Sequence, residues 1–589
     1  MSLTTHQVLD SVSVVLDVVI RGGMVVDGTG APGVSADVGI RAGRIVTVGE
    51  VTEQASHVLD ASGCVVAPGF VDPHTHYDAQ LFWDPYASPS LVHGVTTVVG
   101  GNCGFTLAPL AAGDAEYLRR MMARVEGMPL AALEEGVEWD WETFGEWLSR
   151  LDGKVGLNAA FLVGHCALRR KVMGADAIGN EATDEQITAM EVMLAESLAA
   201  GGLGFSTGRG THEDGDGNPV ASRWASDEEI LRLCRVVADH PGTTLEVILA
   251  GCLDRFDDDE VDFITEMSLA GQRPVNWNVM TVDSSDPTRH VRQMEASDIA
   301  ASRGGRVVAL TMPTIVGMNM SFGSFCALNL IPGWGEVLDL PVPDRIRKLS
   351  DPAIRAAMGA QAQSPDAGVF RRLTDWATYR IGDTFSDENT PLERRYVGDI
   401  AGERGGDPFD TLLDIVIADE LRTVLWPSPT DNDDESWKLR AQAWEHPHTM
   451  LGGSDAGAHL DRMCGGPYVT AFLRDTLRGR QLVTLERAVQ MLTSEPAALF
   501  GFTDRGVLRE GAHADVVVFD PERVGCTPIT LRADLPGDSK RLVSEPEGVR
   551  WVLVNGTVAA EDGHETGVVA GKILRSGVDS DTVSVGVPT

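Results

Sequence analysis

The sequence predicts an α/β protein, a (β/α)8 TIM barrel with a small β-sandwich domain built from both ends of the chain. Through the middle of the chain, short apolar stretches alternate with helical stretches, which is the pattern of parallel βα units. Near both ends, short Val- and Ile-rich stretches are separated by glycine turns instead. A length of 589 residues with 43% hydrophobic composition is sufficient for a large core.

The two ends of the chain are predicted to form one β domain. Residues 15–66 alternate Val and Ile runs with Gly-Gly, Asp-Gly and Ala-Gly turns, and the same pattern returns in residues 511–520 and 549–556. We therefore assign residues 1–66 and 501–589 to the two parts of the sandwich and residues 67–500 to the barrel.

Eight apolar stretches in the middle segment are candidate barrel strands: residues 67–72, 96–99, 157–163, 203–206, 244–249, 275–279, 307–312 and 450–453. In a (β/α)8 barrel the chemistry lies at the carboxyl ends of the strands. Residues 313–444 are too long for a βα loop. We predict that this insertion forms a lid with helices, one of them at residues 407–418.

Composition excludes several classes of partner. The chain has 86 acidic and 48 basic residues and a formal charge of −38, which repels nucleic acid and anionic membranes. Eight scattered cysteines without a Cys-x-x-Cys pair are typical of a reducing compartment. Asp10 and Asp17 interrupt the Val-rich run in residues 1–20, and no stretch reaches the ~18 apolar residues of a membrane helix. We expect a cytoplasmic protein, and homo-oligomerisation stays open.

The stretch at residues 66–78 contains the first candidate site. Residues two apart on an extended strand point to the same side, so His74 and His76 bring two imidazoles to one point. The Pro68-Gly69 entry, the buried-type strand and the following Asp78 favour a metal site over two surface histidines. The sequence therefore predicts metal binding at the end of the first strand.

Further polar residues lie at the ends of the other predicted strands: Cys103, His165, Ser206, Thr207, Glu246, Asn276, Asn278 and Asp455, with His459 four residues later. His74, His76, Glu246 and Asp455 together form a set of donors that suits a divalent metal.

Each of these residues also has an ordinary structural interpretation. Asp455 could cap the last barrel helix, Cys103 could be a small buried hydrophobe rather than a bridging thiolate, and Glu246 could form a structural salt bridge. His459 could be a ligand, an outer partner of a ligand or a helix-surface residue. His165 could be a core histidine with satisfied hydrogen bonds.

Several motifs carry a resemblance to a known family: residues 68–76, 94–104, 163–165, 202–208 and 453–455. With these motifs the chain resembles the amidohydrolase superfamily and, within it, the D-aminoacylase (N-acyl-D-amino-acid deacylase) group. The resemblance covers essentially the whole chain. It implies that His74, His76, Cys103 and Asp455 bind metal.

The chain departs from that group at two positions. The group uses a histidine from strand 5 and another from strand 6 for its tightly held zinc, whereas strand 5 here offers Glu246 and strand 6, residues 274–279, has no histidine. A hydrolase needs a metal that acidifies water and polarises the acyl oxygen. The missing imidazoles therefore argue against ordinary deacylase chemistry.

The remaining donors are rich in carboxylates, which suits iron. The chain is also similar to the TIM-barrel nonheme diiron monooxygenases of platensimycin/platencin diterpenoid biosynthesis. That similarity implies two iron ions, O2, an external electron donor and a bulky hydrophobic acyl substrate carried as its coenzyme A (CoA) thioester. The Met-rich residues 312–322 are candidates to line the substrate, and residues 169–171, 371–372 and 394–395 to contact the CoA.

The sequence thus leads to one expectation and two alternatives. We expect a nonheme diiron monooxygenase with Asp455 and Glu246 as catalytic residues. Its metal ligands would be His74, His76, Glu246, Asp455, His459 and Cys103, with His165, Asp78 and Asn278 around them or near the substrate. The first alternative is a zinc amidohydrolase that cleaves N-acyl-D-amino acids, in which Asp455 moves a proton from water to the amide. The second is a barrel without catalysis that serves as a binding module.

Overall fold

The computed structural model describes residues 15–324 and 326–586. Within them, a nine-stranded sheet joins both ends of the chain. Its first five strands are Leu16–Val25, Val34–Arg41, Arg44–Gly49, Ala55–Asp60 and Val65–Pro68. The other four are Val516–Phe519, Val549–Val554, Thr557–Glu561 and His564–Glu565.

The strand Val65–Pro68 connects the two groups of strands in this sheet. It pairs parallel to Leu16–Val25 and antiparallel to Val516–Phe519. Both chain ends therefore contribute to one sheet, and its description as a β-sandwich domain stays a prediction. Residues 1–14 and 587–589 of the predicted domain lie outside the described residues, and the domain boundaries stay a prediction.

All eight predicted middle strands occur and pair in parallel in chain order, the third in two segments: Phe70–Asp72, Val95–Gly100, Asn158–Phe161 with Val163–Gly164, Gly204–Gly208, Thr244–Ile248, Val275–Trp277, Val307–Thr311 and Thr449–Leu451. Their ladders form one sheet of three strands and one of six. The α/β architecture is confirmed. Closure of the two sheets into one barrel stays a prediction.

The prediction of one strand over residues 67–72 is wrong, because Gly69 divides it. Val65–Pro68 belongs to the terminal sheet and Phe70–Asp72 to the parallel sheet. A Cβ atom at Gly69 would lie 2.1 Å from the Thr96 hydroxyl oxygen, so only glycine fits where the chain passes between the sheets.

The first and eighth parallel strands meet through the loops that follow them. The backbone N–H of His76 donates to the Ala456 carbonyl (2.8 Å), and that of Asp455 donates to the His74 carbonyl (3.3 Å). The Ser454 hydroxyl donates to the buried Asp72 carboxyl. These contacts hold the segments after strands one and eight side by side.

Helices follow the parallel strands. Before the insertion they are Ser88–Leu91, Ala115–Val125, Leu130–Gly136, Phe144–Leu151, His165–Met173, Asp184–Ala199, Asp227–Ala238, Asp258–Gly271 and Arg289–Ser302; after it they are Tyr468–Arg478, Leu485–Leu492 and Ser494–Leu499. Several have side-chain caps; Thr183 and Gln186, for example, satisfy each other's backbone N–H groups in a capping box. Within the described residues, none of the helices has the length and apolarity needed to cross a bilayer.

The insertion has a hydrophobic core of its own. Its helices are Gly335–Leu338, Val342–Leu349, Pro352–Gln363, Val397–Arg404, Pro408–Ala418 and Asp434–Trp444. Trp334 is fully buried, stacks on Trp376 at 5.7 Å between ring centroids and packs near Phe409. A short antiparallel pair, Gly317–Met318 with Met463–Cys464, connects the insertion to the segment after the eighth strand.

We expect Ser454→Ala to lower the free energy of unfolding of the metal-free protein by about 1–3 kcal/mol, because the Asp72 carboxyl loses a buried hydroxyl donor. Ser302→Ala, at the exposed end of a helix, is the matched control and should stay within about 0.5 kcal/mol of the wild type. Urea denaturation followed by circular dichroism measures both. Equal effects of the two variants would contradict the importance of this contact.

Candidate metal centre

Two imidazoles and a carboxylate meet just beyond the first parallel strand. His74 and His76 are 0% and 2% exposed. The Nε2 atoms of His74 and His76 lie 3.3 Å and 3.8 Å from Asp455 Oδ1. Asp455 has a left-handed backbone (φ 51°) and lies well before the next helix, Tyr468–Arg478, so it does not cap a helix. The structure therefore brings these three predicted residues together.

Cys103 also contacts His74, with its Sγ 3.5 Å from the Nε2 atom that faces Asp455. Its backbone is left-handed (φ 57°), between Gly101 and Gly104, which also have positive φ. Three groups hold this turn: Asp78 accepts the N–H of Gly101, Ser206 accepts that of Gly104, and Glu246 accepts that of Cys103. Ligand atoms of His74, His76 and Cys103 all lie within 4.8 Å of one another.

Glu246 is fully buried in the strand Thr244–Ile248. Its Oε2 accepts the Cys103 N–H at 2.8 Å, while Oε1 has no hydrogen-bond partner. The expected alternative, a structural salt bridge, is not seen, since no cationic side chain pairs with Glu246 in the described parts of the chain. Asn278 links the two sides of the site, because its amide donates to Asp455 Oδ1 (3.2 Å) and its carbonyl oxygen lies 4.0 Å from Cys103 Sγ.

The other two histidines of the prediction behave differently. His165 lies outside the cluster, because Thr207 and Glu229 each bind one of its ring nitrogens at 2.8 Å. It is a core histidine with satisfied hydrogen bonds. His459 lies in a loop with left-handed backbone (φ 50°) rather than on a helix, and it lines the cavity beside the cluster.

Sequence reasoning missed two residues here. Glu126 follows the helix Ala115–Val125, and its buried Oε1 lies 3.5 Å from His76 Nδ1. His212 lines the cavity, and its ring packs edge-on against Phe105. His212 could have been found as a histidine in the glycine-rich loop after the fourth strand. Glu126 carries no such signal, because a glutamate after a helix is usually solvent-exposed.

Burial disfavours every charge in the cluster. It lowers the pKa of His74 to about 3 and that of His76 well below its usual range, so both rings are neutral and able to bind metal. Burial and nearby carboxylates raise the pKa of the Cys103 thiol and of Glu126, and burial raises that of Glu246. Burial and Asp72 raise the pKa of Asp455 to about 7.

The donor set fits a divalent cation. Asp455 and Glu126 face the two neutral imidazoles, and Glu246 and Asp78 bind the adjoining turn of Cys103. Within the described residues no Lys or Arg forms an ion pair with any of these four carboxyl groups. Buried carboxylates need a compensating cation. Three buried polar atoms of the site have no hydrogen-bond partner: Glu246 Oε1, His74 Nδ1 and His76 Nδ1. A thiol with imidazoles and carboxylates is a combination that binds zinc.

A cavity of about 230 Å³ opens beside the cluster. His459 and His212 line it, as do Arg124, which pairs with the neighbouring Glu213, and Arg462, which pairs with Asp461. The remaining wall is largely apolar, formed by residues that include Leu253, Met318, Met320, Leu330, Phe370 and Met463. From the Met-rich stretch at residues 312–322, Met318 and Met320 line the cavity, whereas Met312 and Phe322 lie in hydrophobic cores. Contact of this stretch with a substrate stays a prediction.

Comparison with known proteins shows which family the chain resembles over nearly its whole length. A model of the Amidohydrolase family matches residues 57–560. The D-aminoacylase of Alcaligenes xylosoxydans xylosoxydans is 31% identical over 95% of this chain and 97% of its own length. A D-aminoacylase structure, from a study of its binuclear metal centre with one-metal activation and second-metal attenuation, is 27% identical with a TM-score of 0.61 and covers 95% of this chain and 100% of the other.

A second solved structure contains a metal and an inhibitor. The N-acyl-D-glutamate deacylase of Bordetella bronchiseptica, complexed with zinc and a phosphonate that mimics the tetrahedral intermediate, is 27% identical with a TM-score of 0.60. The match covers 95% of this chain and 100% of that chain.

The expected nonheme diiron monooxygenase is wrong. The chain resembles deacylases, which are hydrolases, over nearly its whole length, and these similarities do not support iron, O2 chemistry or the diterpenoid branch. A physical reason is the position of Cys103, whose sulfur belongs to the cluster and favours zinc over a hard iron site. Of the three cationic runs proposed to contact CoA, the first lies in ion pairs: Arg169 with Glu229 and Arg170 with Asp114. CoA binding stays a prediction.

We expect zinc binding to the metal-free protein to release protons and to tighten as the pH rises from 6 to 8. The pKa of Asp455 is about 7 and that of the Cys103 thiol is raised, so both groups lose protons when they bind metal. Each proton released gives about tenfold tighter binding per pH unit below the pKa. Calorimetry in buffers of different ionisation enthalpy counts these protons.

Asp455→Asn is the control for this measurement, because it removes one titrating ligand and should release fewer protons at pH 6. Proton uptake, or an affinity independent of pH, would contradict the assigned ligands.

Proposed function

Because this chain belongs to the Amidohydrolase family, we propose that it is a metal-dependent hydrolase that cleaves the amide bond of N-acyl-D-amino acids. The observation that carries the proposal is the convergence of His74, His76, Cys103 and Asp455 beside one cavity. The D-aminoacylase and N-acyl-D-glutamate deacylase relatives support the same reaction class.

We propose zinc as the metal, in two neighbouring positions. His74, His76 and Asp455 would hold one cation, and Cys103 and Glu246 would contribute to the second, with Glu246 in place of a histidine. The binuclear centre of the related D-aminoacylase supports two positions. The chemistry that such a cation supplies when bound is to acidify water and polarise an acyl oxygen.

Asp455 has the properties of a proton carrier for amide cleavage. Its side chain is 26% exposed although its neighbours are buried, so it can reach a substrate. A carboxylate at this position has the chemistry of a general base and acid. Its carboxylate would take a proton from the attacking water and deliver it to the amide nitrogen as the C–N bond breaks. The Asn278 amide would orient it through Oδ1.

The cavity would hold the substrate. Its Met- and Leu-rich wall suits an apolar acyl group or side chain, and methionines adapt to ligands of different shape. His459 and His212 lie where the polar part of the substrate would meet the metal centre.

At the level of the fold, we also propose that the two parallel sheets form one closed (β/α)8 barrel. The isolated parallel bridge between Thr75 and Ala456 supports contact between its first and eighth strands. In such barrels the active site lies at the carboxyl ends of the strands, where the proposed ligands occur.

The proposed function predicts zinc-dependent release of free D-amino acids from N-acetyl-D-methionine, N-acetyl-D-aspartate or N-acetyl-D-glutamate, with the L-enantiomers cleaved far more slowly. Rates should be the same in air and without oxygen, should fall on chelation and should return with zinc. Chromatography of the released amino acids measures this. Absence of hydrolysis across the panel with zinc-loaded protein would contradict the proposal.

The variant Asp455→Asn should lower kcat/KM about 10²–10⁴-fold, because it removes the proton carrier. Asp298→Asn is the matched control, since Asp298 is exposed and pairs with His446 away from the metal centre. Its activity should equal that of the wild type.

A further inference from the structure

His76 has a different carboxylate facing each of its ring nitrogens. Its Nε2 lies 3.8 Å from Asp455 Oδ1, on the side of the proposed cation. Its Nδ1 lies 3.5 Å from Glu126 Oε1 and has no hydrogen-bond partner. The side chains of His76 and Glu126 are only 2% and 4% exposed, so solvent does not compete for this contact.

The backbone of the same residue holds a second histidine. The carbonyl of Glu126 accepts the N–H of His459 at 2.5 Å. Gly127 follows with a left-handed backbone (φ 55°), and a Cβ atom there would lie 2.8 Å from His459 Nδ1. The segment of residues 126–127 therefore touches both the metal centre and the cavity wall.

The preceding helix fixes the position of this segment. Ala115–Val125 buries Leu118, Met121, Met122 and Val125, and the N–H of Glu126 donates to the Met122 carbonyl. The buried face of the helix and this hydrogen bond together fix the position of Glu126, the residue that follows the helix. Glu126 thus reaches the centre from outside the parallel strands that carry the predicted donors.

We propose that Glu126 is a positioning residue of the metal centre. Its carboxylate orients the His76 ring and selects the tautomer that leaves Nε2 free for metal, and its carbonyl holds His459 at the cavity wall. A carboxylate on the second nitrogen of a ligating histidine fixes the ring and raises its basicity. This inference rests on the proposed metal-dependent hydrolase.

The test is Glu126→Gln, with Glu116→Gln, at an exposed position of the same helix, as the matched control. At saturating zinc the variant should bind as many ions as the wild type, but with 10–100-fold lower affinity in chelator competition. The visible spectrum of the cobalt-substituted variant should shift, because the His76 ring turns. The control should match the wild type in both measurements.

Thermal unfolding of the metal-free proteins distinguishes a positioning role of Glu126 from a purely structural role. Positioning predicts that metal-free Glu126→Gln unfolds at or above the wild-type temperature, because a buried carboxylate is gone. Unfolding at a lower temperature with unchanged zinc affinity would overturn the inference. Loss of a bound ion at saturating zinc would also overturn it, since Glu126 would then be a ligand.

The variant Gly127→Ala tests the carbonyl contact separately. Its new Cβ would lie 2.6 Å from Arg462 Nη2 and 2.8 Å from His459 Nδ1, so it should displace both side chains of the cavity wall and raise KM while zinc affinity stays at the wild-type value. An unchanged KM would overturn the assigned role of the carbonyl. A wild-type protein that binds no zinc would instead refute the proposed function and leave the geometry of Glu126 as it is.

Discussion

The contact between the loops after the first and eighth parallel strands is the constraint on which the site depends. His74 and His76 lie on one loop and Asp455 on the other, and backbone hydrogen bonds join the two at His76 and Asp455. Side chains far apart in the chain can bind one ion only if their backbones are held within a few tenths of an ångström. The Ser454–Asp72 hydrogen bond below the site adds a buried side-chain link to these backbone contacts.

A second constraint is electrostatic, and it destabilises the site that the loop contacts hold together. Four carboxyl groups, two imidazoles and a thiol share one buried region, where each charge is costly without a partner. Backbone hydrogen bonds partly offset this cost: the N–H of Gly101 donates to Asp78, and the N–H of Cys103 donates to Glu246. The protein's own hydrogen bonds thus shape the site, and its imidazole, thiol and carboxyl donors suit a divalent cation.

The sequence predicted the elements better than the site. Apolar periodicity located all eight parallel strands, because buried strands leave continuous hydrophobic runs. It did not find the break at Gly69, since tertiary contact with Thr96 rather than local propensity divides that strand. Strand ends gave His74, His76, Cys103, Glu246 and Asp455, yet also His165, whose partner Glu229 lies 64 residues away. Glu126 was missed because its burial depends on how a helix packs. The prediction of the reaction class was wrong because it was based on the absence of histidines from strands 5 and 6 and gave too little importance to Cys103.

The antiparallel strand pair that joins the insertion to the segment after the eighth strand has an evolutionary consequence. Met318 and Met463, on its two strands, form part of the cavity wall, whereas the proposed metal donors come from the parallel strands. Substitutions in the insertion can therefore remodel the ligand-facing wall without changing a metal ligand. The part of the wall that the insertion supplies is therefore encoded apart from the proposed ligands, whereas His212 and His459 of the same wall lie in loops after the parallel strands.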